Sequence, residues 1–123
     1  MIIIDNDGTI SLYQGDSGEI TIDGLDSSAN YTIYFAITDK NRNLVGNELQ
    51  VVANNTDTVT FILASEFTEL LSVPHNKNYE IYYYGIKACT SGDEPTEDTL
   101  FVSGSFYGDV NRIIVYPRKV KGA

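Results

Sequence analysis

The sequence predicts an all-β fold: a single antiparallel β-sandwich of Ig-like or Greek-key type, with about seven or eight strands and one short helix near 65–72. Three observations carry that expectation. Polarity alternates with a period of two along most of the chain, and the alternating stretches are rich in Tyr, Ile, Val, Thr and Phe. Clusters of Gly, Asn and Asp punctuate those stretches as turns do between strands. The chain of 123 residues holds one core comfortably and two poorly, so 1–118 is expected to form one domain and 119–123 a frayed basic tail.

Taken in order, Asp5-Asn6-Asp7-Gly8 makes a turn, because Gly8 takes a positive φ without steric cost, and 9–13 follows as the first strand. Gln14-Gly15-Asp16-Ser17-Gly18 is a second turn cluster. Residues 19–23 alternate, with Ile20 and Ile22 on one face, and 24–30 is a polar connection. The clearest strand is 31–39, where Tyr31, Ile33, Phe35 and Ile37 oppose Thr32, Tyr34, Ala36 and Thr38; it should be central. The polar turn 40–43 sends 44–53 back, with Gly46 marking a bulge or a close backbone approach. After Asn54-Asn55, Val59, Phe61 and Leu63 define a strand over 58–64.

One short helix interrupts the strands. Ser65 is placed to cap its free amides, Glu66 suits its positive end, and Phe67, Leu70 and Leu71 recur at three and four residues before Pro74 stops it. A piece this short needs packing to persist, so it should plug an open end of the sandwich with Phe67 and Leu70 inward. In 78–89, Tyr79, Ile81 and Tyr83 fall on one face and Tyr82, Tyr84 and Ile86 on the other. Both faces are apolar, as in a strand buried on two sides or facing a partner on one. Residues 91–98, with four acids, read as a mobile exposed loop. Residues 100–107 and 112–116 read as the last strands, joined at Gly108-Asp109 and ended by Pro117.

Charge and composition exclude several functions. Residues 1–111 hold all 17 acids against four basic residues, a balance of −13, and the last twelve residues carry +4. A body this acidic repels a phosphate backbone, so nucleic acid is not an expected partner. Arg112, Arg118, Lys119 and Lys121 would suit an acidic neighbour, including another copy of the chain. No apolar run approaches the ~20 residues that cross a bilayer, and no basic stretch precedes the opening isoleucines, so neither membrane insertion nor a signal peptide is expected.

Cys89 alone cannot form a disulfide or zinc framework within one chain. His75, beside Pro74, reads as a turn residue rather than a catalytic base. Residues 5–8 lack the remaining ligands of a calcium hand, and the acids at 93, 94, 97 and 98 read as a solvated loop. No enzyme activity, cofactor or metal is expected. Nine tyrosines without a tryptophan supply large contact area with polar tips, and Tyr34, Tyr82 and Tyr84 share the parity of an outward adhesive patch.

Several stretches together resemble the small β-sandwich modules of phages and prophages, in particular the N-terminal domain of the phage baseplate upper protein family. They are Asp5-Asn6-Asp7-Gly8-Thr9-Ile10, Gln14-Gly15-Asp16-Ser17, the alternating 31–37, the strand-helix step 61–71, Tyr79-Glu80-Ile81-Tyr82-Tyr83, and the basic, Pro-containing Ile114-Val115-Tyr116-Pro117-Arg118-Lys119. The resemblance spans nearly the whole chain through short turn-and-strand patterns. Gln14 departs from the family, which usually carries Arg there. The chain also ends where those proteins continue into a helical region and receptor-directed domains, which implies a stand-alone docking or structural piece.

The resemblance implies a non-enzymatic structural protein of a tail or baseplate, made in the bacterial cytoplasm and resident in the virion. Its partners would be other virion or tail proteins, further copies of itself among them, as a homo-oligomer. Asp16 carries over as a turn former whose carboxylate caps nearby amides. The alternative is a host-directed binding module. It would be either an acidic mimic that inhibits a basic enzyme or a carbohydrate-binding sandwich with Tyr34, Tyr82 and Tyr84 as its platform.

Overall fold

The computed structural model describes residues 2–5, 8–90, 97–100 and 111–118. In chain order its elements are β1 (Ile2–Ile4), β2 (Ile10–Tyr13), β3 (Gly18–Ile22), β4 (Asn30–Thr38), β5 (Leu44–Asn54), β6 (Val59–Leu63), α1 (Ser65–Thr68), β7 (Glu80–Cys89), β8 (Glu97–Leu100) and β9 (Arg112–Tyr116). The fold is all-β and sandwich-like, as the alternation predicts. A large curled sheet in the order β1-β2-β9-β7-β4-β5, with β8 also beside β7, faces a small sheet of β3 and β6. Strand β7 is long enough for β9 to pair with its first half and β8 with its second.

The sheets meet through one face of each strand. Ile33, Phe35 and Ile37 of β4, Ile10 and Leu12 of β2, and Ile113 and Val115 of β9 pack against Ile20, Ile22, Phe61 and Leu63 of the small sheet, all buried. The Phe35 ring lies 5.6 Å from Phe61 and 5.7 Å from Tyr84, tying the layers at their centre. Strand β4 is central as expected, flanked by β5 and β7. Among the described residues no helix is long and apolar enough to cross a membrane.

The structure amends five sequence expectations. The pairing is not wholly antiparallel: β2 and β9 run parallel, with Ile10 opposite Ile113. Hairpin neighbours must oppose one another, but these two strands are linked by nearly the whole chain, so no tight turn fixes their relative direction. Strand β1 was not anticipated, because three consecutive isoleucines show no alternation; it pairs with β2 across the turn closed by Gly8 N–H donating to Asp5 O (3.0 Å).

Helix α1 is capped by Ala64, whose carbonyl accepts from Phe67 and Thr68 N–H, and Ser65 begins the helix rather than capping it. Because the helical residues number only four, Leu70 and Leu71 N–H donate to Phe67 O and Thr68 O in tightened turns, and the phase shifts. Leu71 and Thr68 are therefore fully buried while Leu70 stays exposed, with Phe67 half-buried. Finally, Glu97 and Asp98 open strand β8 instead of lying in a loop. Residues 91–96, most of the strand expected over 100–107 and the Gly108-Asp109 turn fall outside the described residues.

Candidate functional site

The outer face of the large sheet is set by strand parity. Across β7, Tyr82, Tyr84, Ile86 and Ala88 point into the core, leaving Ile81, Tyr83, Gly85, Lys87 and Cys89 outside. Register carries that face sideways: Ile81 lies opposite Ile114 and Tyr83 opposite Arg112, and on the other side of β9 Ser11 meets Ile114 and Tyr13 meets Tyr116. Ile3 of β1 completes the row opposite Ser11. Ile3 and Tyr13 are exposed, while Ile81, Tyr83, Ile114 and Tyr116 are half-buried by one another. The rings of Tyr13 and Tyr116 sit 5.5 Å apart at 40° and wall an open cleft with Ile3, Asp5 and Ser11.

Further along the same face, Ala36 lies opposite Gly85, and the absence of side-chain bulk leaves a wide shallow groove edged by Tyr34, Glu48, Lys87 and Cys89. A methyl group on Gly85 would meet nothing within 4 Å, so the groove floor is open. The free thiol of Cys89 is half-buried at its edge. His75 is exposed in the turn where Lys77 N–H donates to Pro74 O (3.0 Å). Among the described residues no three His, Cys, Asp or Glu side chains gather as metal ligands.

The adhesive patch expected from Tyr34, Tyr82 and Tyr84 is split by the fold. Tyr34 does face outward. Tyr82 and Tyr84 are buried, each with its hydroxyl satisfied: Tyr82 Oη donates to Ser72 O (2.7 Å) and Tyr84 Oη to Gly8 O (2.6 Å). They are core residues with polar tips, and neither belongs to an interface or a glycan platform. Outward aromatics beside Tyr34 include Tyr13, Tyr83 and Tyr116, which the sequence does not mark as members of that patch. Charge parity does not separate the two faces, because Lys87 shares the parity of Tyr83 and Ile81 while Glu80 shares that of Tyr82 and Tyr84.

The basic residues also separate. Arg112 is exposed at the end of β9 beside Tyr83. Arg118 is engaged within the chain: its guanidinium pairs with the Glu69 carboxylate and lies over Gly15, where a Cβ would fall 2.2 Å from Nη2. Lys119 and Lys121 fall outside the described residues. Gly8 and Gly15 hold φ of 88° and 86°, the conformation their turns require.

The Gln14-Gly15-Asp16 turn docks on α1. Gln14 Nε2 donates to Glu69 O (2.8 Å), and the Thr68 hydroxyl donates to Asp16 O (2.7 Å). In these contacts Asp16 acts through its backbone, its N–H closing the turn on Tyr13 O (3.0 Å). No family model matches the chain, and no curated protein matches it.

Proposed function

We propose that this protein is a non-enzymatic assembly component of a phage or prophage tail or baseplate, acting through protein–protein contacts made by the outer face of its large sheet. The supporting observation is the contiguous row of Ile3, Tyr13, Ile81, Tyr83, Ile114 and Tyr116 with Arg112 at its end, since aromatic and apolar side chains with a neighbouring Arg are what interfaces enrich. The tail or baseplate setting comes from the turn-and-strand resemblance. The test is to induce prophages in the source strain, sediment the particles and quantify this chain by mass spectrometry. Stoichiometric recovery that is lost when Ile3 and Ile114 are both replaced by Asp supports the reading; confinement to the unsedimented fraction rejects it.

A second reading has its own support. The cleft between Tyr13 and Tyr116, with the Asp5 carboxylate and Ser11 hydroxyl beside it, combines a ring surface with polar groups in the way sugar-binding sites do. A glycan array probed with the purified chain decides it: Tyr116-dependent binding favours a host-directed carbohydrate module over the assembly role.

A further inference from the structure

Strand β5 ends the large sheet. It runs for 11 residues and, among the described residues, pairs only with β4. An edge this long presents a row of backbone N–H and C=O groups, which folded proteins normally blunt with Lys, Pro or an inward charge. Here the strand contains no proline and one charge, Glu48, and no charge at all from Leu49 to Asn54. Its first half is covered at the bulge, where Phe67 and Leu70 of the helical segment lie against Gly46. Among the described residues the second half is paired on one side only, by β4, and on the outer face of the sheet Val52 is 58% exposed.

We infer that the second half of β5 is a docking edge for a second copy of this chain, the two β5 strands pairing antiparallel about a two-fold axis at Val51. This inference names a partner for the assembly reading proposed above and rests on it.

Self-complementarity supports that occupant. The axis sets Leu49 opposite Ala53 of the second copy, Gln50 opposite Val52 and Glu48 opposite Asn54, so no like charges meet. Leu49, Val51 and Ala53 all face the core side of their sheet, so the two inner faces become continuous across the join.

Charge at the strand ends supports it further. The turn before β5 carries Lys40 and Arg42 with Asp39, whereas the turn after it carries Asp57 and is hydrogen-bonded to the loop holding Asp26, through Leu25 N–H to Asp57 O (3.0 Å). Antiparallel pairing lays the basic end of each strand against the acidic end of the other.

The experiment is multi-angle light scattering during size exclusion at rising protein concentration. Wild type is expected to reach twice the monomer mass of 13.6 kDa. Two exposed-side variants test the edge: Gln50→Lys with Val52→Lys, and Gln50→Glu with Val52→Glu. Each places like charges opposite each other across the axis, so each alone should remain monomeric. Because Gln50 meets Val52 across the axis, an equimolar mixture of the two should recover the dimer mass, a result that misfolding cannot imitate. A monomeric wild type, or lysine and glutamate variants that dimerise unchanged, overturns the edge. An oligomer that persists in both variants but is lost on replacing Ile3 and Ile114 overturns it while leaving the assembly reading standing.

Discussion

At the scale of single residues, the two tyrosines of β7 show how burial and a polar tip are reconciled. Tyr84 is 6% exposed, and its hydroxyl donates to the carbonyl of Gly8, at the mouth of the β1–β2 turn. Removing only that oxygen leaves the ring packing intact but strands the Gly8 carbonyl, a loss of about 1–3 kcal/mol. Tyr84→Phe should therefore lower the urea midpoint with an unchanged slope, and an unchanged midpoint would show that water satisfies Gly8 instead. Asp26 offers a different test. The Ser28 hydroxyl, and after it the Ser28 N–H, hold the Asp26 carboxyl below the ordinary aspartate value. Its folded pKa being the lower one, this contribution is complete above the unfolded-state pKa and fades as pH falls through the folded value. Carboxyl chemical shifts followed by NMR should place Asp26 below a typical exposed aspartate, and Ser28→Ala should move it upward.

At the scale of elements, two glycines with opposite roles allow a contrast. Gly46 sits in the β5 bulge at φ 70°, where a Cβ would fall 2.8 Å from the Phe67 ring, whereas Gly85 lies in β7 with open space above it. Gly46→Ala should cost roughly 1–3 kcal/mol through backbone strain and displacement of α1, while Gly85→Ala should gain up to about 1 kcal/mol by removing chain entropy. Equal effects at the two sites, read by chemical denaturation, would refute this assignment. The same elements show what was legible in the sequence. Strands β4 and β6 were readable because one face alternates strictly, as Ile33, Phe35 and Ile37 do, and β5 and β9 because turn residues and Pro117 bound their apolar stretches. Strand β1 was not, since Ile2, Ile3 and Ile4 have no period, and α1 drifted because a four-residue helix is held by the turn docked on it rather than by its own pattern. The outer face was misread because both faces of β7 are aromatic, and only the neighbouring register, Tyr82 opposite Ile113 and Tyr83 opposite Arg112, decides between them.

At the scale of the whole molecule, net charge opposes the self-association proposed for the β5 edge. Each copy carries −9 at pH 7. Two such bodies with centres roughly 30 Å apart repel by several kcal/mol in dilute buffer, where the Debye length is about 30 Å, and by well under 1 kcal/mol at physiological salt, where it is about 8 Å. The opposed ends of β5 add only a few charges to the balance, fewer than the bodies carry, so general repulsion dominates the ionic response. Self-association should consequently strengthen as salt rises from about 10 mM to about 150 mM, by on the order of a hundredfold or more, the reverse of a contact held mainly by ion pairs. Lowering the pH toward the isoelectric point near 4.3 should act in the same direction by discharging carboxylates. Sedimentation equilibrium across both series measures this. Dimerisation that weakens with salt would place the energy of the contact in charge pairing, whereas strengthening assigns it to backbone pairing and apolar burial along the strand edge.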